Sequence, residues 1–206
     1  MAQYFQVHPV NPQPRLIGRA ADIIRAGGVV AYPTDSSYAL GCHLGDKAAM
    51  ERIRRIRRLG PDHHFTLVCR DLSELALYAK VDNRLYRFLK AYTPGPYTFL
   101  LPATREVPRR LQHPRRRSVG LRVPDHPIPQ ALLAALGEPL MSVTLILPGD
   151  DLPLGDPEAI RARLDKQLDL IIDGGPCGPD PTTVVDLTGA APVLRRRGKG
   201  AVPEGL

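Results

Sequence analysis

The chain has 206 residues, 43% of them hydrophobic, and no run of about 18 apolar residues. That length buries a full core, so one soluble domain spanning 1–206 is expected, with no membrane span, and an N-terminus lacking a signal-peptide pattern points to the cytoplasm. Net charge is +7, from 28 basic against 21 acidic residues, which favours anionic partners such as nucleotides or RNA. Only five of the basic residues are lysines, an arginine excess that codon composition alone can produce.

Periodicity alternates helix and strand. Arg15 to Ala26 places Leu16, Ile17, Ala20, Ile23 and Ile24 on one helical face and stops at Gly27-Gly28. The strand Val29 to Tyr32 follows and runs into Pro33-Thr-Asp-Ser-Ser-Tyr-Ala-Leu-Gly41. Hydroxyls, a carboxylate and a phenol directly after a buried strand sit at the rim of a sheet, where α/β proteins place ligands; a turn bonded to itself explains the same residues. Asp46 caps a helix to about Leu59, Phe65 to Cys69 reads as a strand, Asp71-Leu-Ser-Glu74 is a capping box, and Asp82 to Tyr92 is helical.

Strands are expected at Tyr97 to Leu101, Val119 to Val123, Leu140 to Leu147, Leu168 to Ile172 and Thr183 to Leu187, with helices at Ile128 to Leu136 and Asp156 to Leu164. The fold class is therefore α/β, a twisted mixed sheet flanked by helices. One compact unit is expected, with a mobile tail after Gly198 as the alternative.

Some side chains do not suit a purely structural pattern. At about 100° per residue, Arg57 falls between Met50 and Ile53 on the apolar stripe of its helix, where a charge needs a buried partner, a snorkelling path or an anionic ligand. Arg122 interrupts the apolar strand Ser118-Val-Gly-Leu-Arg-Val-Pro124 and shares a face with Ser118, so the two either hold a carboxylate or phosphate or build a structural ion pair. Ser142 and Thr144 share one face of another apolar strand, and Thr182-Thr183 opens the strand after a glycine-rich loop. Arg195-Arg-Arg-Gly-Lys199 supplies cations after the last strand.

Several chemistries are missing from the pattern. The chain has no G-x-x-x-x-G-K-[ST], no G-x-G-x-x-G, no H-E-x-x-H and no C-x-x-C. The three cysteines, Cys42, Cys69 and Cys177, read as reduced thiols, and His63-His64 and Cys42-His43 do not make a zinc site. Positioning of charged substrates by arginines and hydroxyls is the chemistry best supplied.

In this order the segments resemble the YrdC/YciO family of threonylcarbamoyl-adenylate synthases, and the resemblance covers nearly the whole chain. The pattern P-T-[DE]-T-x-Y-G-L-G is similar to Pro33–Gly41, P-G-P-x-T to Pro94–Thr98, R-V-P-[DS]-H-P to Arg122–Pro127, and S-T-V-V-D to Thr182–Asp186. The Y-P-T-D-S-x-Y-A-L-G-C form, with F-T-L-[VM]-C-R-D-L-S-E-L at Phe65 to Leu75, resembles the YciO branch.

That resemblance implies a basic concave cleft for ATP and L-threonine, with bicarbonate as third substrate and Mg2+ arriving with the nucleotide rather than at a protein-built site. It implies that Thr34 and Arg122 contact threonine with Thr182 nearby, that Ser118, Ser142, Thr144 and Arg196 face the nucleotide, and that Arg57 meets its phosphates. The product feeds tRNA threonylcarbamoyladenosine modification, and tRNA or double-stranded RNA is a candidate partner. Two signatures depart from the synthases. K-x-R is replaced by Arg57-Arg58-Leu59, and S-x-N by Ser142-Val-Thr144. A lost charge-assisted phosphate contact is worth about 1.5–3 kcal/mol, and the lost asparagine removes an amide donor and acceptor. A nucleotide- or RNA-binding protein without synthase activity, or a divergent reaction on an adenylate, are the alternative readings.

Overall fold

The computed structural model describes residues 1–60, 63, 65–112 and 117–206, without the side chain of residue 110. His64 of the His63-His64 pair lies outside the described residues. In chain order the elements are β1 (Gln3–Gln6), α1 (Pro14–Arg25), β2 (Val30–Tyr32), β3 (Ala39–His43), α2 (Lys47–Arg57), β4 (Thr66–Val68), α3 (Leu72–Tyr78), α4 (Asn83–Tyr92), β5 (Tyr97–Pro102), β6 (Ser118–Arg122), α5 (Pro127–Leu136), β7 (Leu140–Thr144), α6 (Pro157–Leu164), β8 (Leu170–Asp173), β9 (Thr183–Asp186) and β10 (Val193–Arg196). A 3-10 turn spans Arg109–Leu111.

Helix starts follow the cap chemistry. Asp46 Oδ1 accepts the Ala49 N–H at 2.9 Å, Asp82 Oδ1 that of Leu85 at 2.8 Å, and Asp156 Oδ1 that of Glu158 at 3.1 Å. At α3 the expected box is half kept. Asp71 Oδ1 takes the Glu74 N–H at 2.8 Å, but Glu74 reaches back to the N–H of Arg70, one residue before the cap, at 2.6 Å. The exit of α1 runs through Gly27 at φ 87°, with the Gly28 N–H on Ile23 O.

All ten strands join one mixed sheet in the order β1-β8-β2-β3-β7-β4-β6-β5-β9-β10. Sequence periodicity passes over β1, β3 and β10, which are short or carry a mixed pattern. β3 matters most, because it turns the polar segment after β2 into a tight connection: Tyr32 pairs with Ala39 and Ala31 with Leu40. β7 ends at Thr144, since Leu145 already bonds back to Tyr38 O.

Side-chain alternation separates two cores. One face packs Leu67, Met141, Val143, Val119 and Leu121 against α2, with Met50, Ile53 and Ile56 inward. The other face packs Val30, Tyr32, Leu170 and Ile172 against α1 and α5, through Ile17, Ile24, Ile128 and Leu132. That second core reaches Val68 and Leu140 and stops there. Beyond it the same face of β7, β4, β6 and β5 carries Ser142, Thr66, Gly120 and Thr98 instead of an apolar layer.

The tail after Gly198 is tied to the rest of the unit, not detached from it as the alternative reading had it. Lys199 N bonds Pro181 O at 2.8 Å, Thr183 Oγ1 donates to Gly200 O, and Tyr97 Oη donates to Ala201 O at 2.9 Å. Gly200 lies against the Tyr97 ring, where an added Cβ would stand 2.6 Å from Cε1. Periodicity does not register contacts made by a glycine and backbone carbonyls. Among the described residues no helix is long and apolar enough to cross a membrane.

Candidate functional site: a hydroxyl-lined cleft around Arg122

Register aligns the floor of the site. Gly41, Ser142, Thr66, Gly120 and Leu100 stand directly opposite one another across β3, β7, β4, β6 and β5. Over this floor lies a shallow cleft, with an enclosed volume of about 30 Å3, lined by Ser36, Thr66, Thr98, Arg122, Ser142, Thr144 and Thr182, with Ser37, Ala39 and Val143 completing the wall. Eight polar side chains from six segments converge on a sheet otherwise built from apolar residues. Gly120 keeps the floor open, because a Cβ there would approach Thr66 Oγ1 to 3.2 Å.

Arg122 is 7% exposed and joins Asp35 through Nη2. Asp35 also accepts the Asp125 N–H at 2.9 Å through Oδ2, and its backbone carbonyl takes the Lys199 ammonium at 2.6 Å. The structural ion pair foreseen for Arg122 therefore exists, yet it does not use the whole guanidinium. Nη1 reaches Ser36 Oγ at 3.5 Å, and the buried Nε has no hydrogen-bond partner among the described residues. An unmet buried donor on a cation is costly, and an anion in the cleft would meet it.

Hydroxyl valences show which groups remain to meet a ligand. A hydroxyl has one proton and two lone pairs. Thr34 Oγ1 donates to Ser37 O at 2.6 Å and accepts the N–H groups of Ser36 and Ser37 at 3.1 and 3.2 Å, so it is saturated by its own turn. Ser36 Oγ, 3.0 Å from Thr34 Oγ1, thus keeps its proton for the cleft. Thr98 and Thr182 share a 2.8 Å bond, and Thr182 Oγ1 also accepts Arg196 Nη2 at 3.2 Å. Whichever of the two threonines donates to the other, the pair has one O–H left over.

The sequence-predicted residues fall into three groups. Arg122, Ser142, Thr144 and Thr182 line the cleft together. Thr34, Ser118 and Arg196 adjoin it: Thr34 shapes the turn that carries Ser36, Ser118 is buried two residues along the Gly120 face opposite Pro102, and Arg196 donates to Thr182 O from Nε and Nη2 at 3.1 and 2.9 Å. Arg57 stands apart. It ends the helix packed on the other face of the sheet, donates from Nη1 to Ile146 O just beyond β7, and has a buried Nε with no partner among the described residues. Burial lowers its pKa below the ordinary arginine value. Leu59, at the altered signature position, packs against the core below α2.

Sequence reasoning missed Ser36, Thr66, Thr98 and Asp35 as site residues. Ser36 and Asp35 were visible in the polar stretch after β2, but only the turn geometry shows that Thr34 is spent while Ser36 keeps its proton. Thr66 and Thr98 look like ordinary strand threonines until register brings them together. The thiol of Cys177, 3.5 Å from Thr34 O, is pushed up by burial and is no nucleophile at neutral pH.

The model of the telomere recombination family, covering Sua5, YciO and YrdC, matches residues 22–198. The chain is 58% identical over 202 residues to the YciO protein of Escherichia coli K12, covering 98% of each, and superimposes on the crystal structure of E. coli YciO with a TM-score of 0.94. It is 33% identical over 195 residues to the threonylcarbamoyl-AMP synthase of Alkalilimnicola ehrlichii, covering 94% of this chain and 98% of that protein. The structure of P. abyssi Sua5 complexed with L-threonine matches at a TM-score of 0.86 and 28% identity, over 95% of this chain and 57% of the longer Sua5 chain. The mixed-sheet fold is thus shared with these proteins, and the chain belongs to the Sua5/YciO/YrdC family.

Proposed function

We propose that this protein condenses L-threonine, bicarbonate and ATP into threonylcarbamoyl-adenylate, releasing water and pyrophosphate, as a step toward threonylcarbamoyladenosine in tRNA. The supporting observation is the cleft in which the unpartnered Nε of Arg122 stands among hydroxyls that retain donors. A carboxylate there would take Nε–H and the Ser36 O–H, while Asp35 holds the guanidinium from behind. The amine of threonine adds to bicarbonate carbon with loss of water, and a carbamate oxygen then attacks the α-phosphorus of ATP. The bond from that phosphorus to the bridging oxygen breaks, and the pair leaves with pyrophosphate.

In this reading Thr144, which lines the cleft, and Ser118 and Arg196, which adjoin it, meet the nucleotide. In this reading Mg2+ arrives on the triphosphate of ATP. The threonine-bound Sua5 relative and the named synthases support the substrate class.

The test is pyrophosphate release from ATP by the purified protein. Release that requires both L-threonine and bicarbonate, with the KM for threonine raised about tenfold by Ser36→Ala, is expected from the loss of one charge-assisted hydrogen bond. Release independent of threonine, or none while ATP still binds, would overturn the synthase reading. The second result would favour a nucleotide-binding role, for which the apolar Leu59, packed against the core, and Thr144 in the cleft are the specific observations. In that role the exposed groove of Arg54, Arg55 and Arg58 is the surface to test for RNA by filter binding across salt, where phosphate contacts give a steep fall in affinity.

A further inference from the structure

Tyr32 is completely buried, with its hydroxyl 2.7 Å from Ser142 Oγ. Ser142 Oγ in turn donates to Leu40 O at 3.0 Å. The serine has one proton, and Leu40 O receives it, so the Tyr32 hydroxyl must be the donor in the other bond. The reverse arrangement would strand a buried phenol proton, because no other partner of that hydroxyl is recorded among the described residues. Burial pushes the Tyr32 pKa up to about 12, so the phenol keeps its proton across the working range. Its ring is fixed as well: it packs on Gly41, where an added Cβ would stand 2.9 Å from Cε1.

One lone pair of Ser142 therefore remains, and Ser142 lines the cleft with Arg122, Ser36 and Thr182. It accepts and cannot donate. A phosphate or carboxylate oxygen has no proton to offer it, whereas an ammonium, a carbamate N–H or an alcohol has. The wall at Arg122 has the opposite character, with an unmet cationic donor.

We infer that Tyr32 is a positioning residue for ligand selection: by taking up one lone pair of Ser142, while Leu40 takes its proton, it leaves Ser142 Oγ as an acceptor-only atom in the cleft that also holds the Arg122 donor. The cleft is thereby matched to a molecule with a carboxylate at one end and a hydrogen-bond donor near it, the pattern of an α-amino acid. This deepens the threonine reading and rests on it for the identity of the amino acid.

The experiment is calorimetric titration of the full chain with L-threonine and with butyrate, which keeps the carboxylate and lacks both donors. Wild type, Tyr32→Phe and Ser142→Ala are compared, with thermal melts of each and ATP titrations in parallel. Wild type should prefer threonine at least tenfold. Ser142→Ala should erase most of that preference, and Tyr32→Phe should narrow it about three- to tenfold by freeing the serine to rotate, with ATP affinity within twofold throughout. If Tyr32→Phe lowers the melting temperature but leaves the threonine-to-butyrate ratio unchanged, Tyr32 is only a packing residue and the inference falls. It falls too if both variants weaken ATP instead, which would assign Ser142 to a ribose hydroxyl. Pyrophosphate release is read separately, so selective threonine binding without release supports this inference while refuting the synthase reading.

Discussion

Removing the Arg122 side chain should expose how much of the fold depends on a charge placed for a ligand. The Arg122 and Asp35 side chains are 8% and 9% exposed, so Arg122→Ala leaves the Asp35 carboxylate buried with the Asp125 N–H as its remaining side-chain contact. Breaking a buried pair by deleting one partner costs about 3–5 kcal/mol, most of it from the charge left behind. For a chain of this size that is a fall in melting temperature of about 6–20 °C. Arg122→Ala with Asp35→Asn removes both charges and should recover about 1–3 kcal/mol, since the amide oxygen can still accept the Asp125 N–H. Urea unfolding of the two single variants, the double variant and wild type gives the coupling directly. A loss below about 1 kcal/mol for Arg122→Ala, with no recovery in the double variant, would show that the pair behaves as a solvated one and refute the reasoning.

Further expectations concern the close approaches and the caps. Gly41→Ala drives a methyl to 2.7 Å from Leu140 Cδ2 and 2.9 Å from the Tyr32 ring, and should cost about 1–3 kcal/mol in chemical denaturation; a change within 0.5 kcal/mol would contradict the packing. Gly200→Ala should loosen the C-terminal strap by pressing on Tyr97, seen as faster hydrogen exchange at the Lys199 amide, and unchanged exchange would count against it. His126 Nδ1 accepts the Ile128 N–H at 3.1 Å, and burial, opposed by Asp35 and Asp125, lowers the pKa of the imidazole below its ordinary 6.5. The unfolded chain then binds more protons than the folded one, so this contribution is complete above about pH 6.5 and is lost as pH falls through the lower folded value. His126→Asn, which keeps an N-cap acceptor, should flatten the stability profile below about pH 6.5; an identical slope would exclude His126 as the source.

Much of the scaffold was legible because its signals are local. The helix faces, the aspartate caps and the long apolar strands each declare themselves within a dozen residues. β3 did not, because Ala39-Leu-Gly-Cys-His43 lacks the β-branched residues that mark a strand, and only pairing with β2 and β7 makes it one. In the site, Arg122 and Arg57 announced themselves as charges among apolar neighbours, and both carry a buried Nε with no partner among the described residues. Their fates differ for a reason no pattern contains. Arg122 points into the cleft face, whereas Arg57 is drawn to the carbonyl of Ile146 on the far side of β7. The exchange of Thr34 for Ser36 as the free hydroxyl likewise depends on three hydrogen bonds inside one turn.

A crystal structure of the complex with L-threonine tests the central claim most directly. The account predicts the threonine carboxylate within hydrogen-bond distance of Arg122 Nε and Ser36 Oγ, with the Asp35–Arg122 pair intact and the amine turned toward Ser142. A carboxylate bound elsewhere, with Arg122 Nε still unmet, would contradict it.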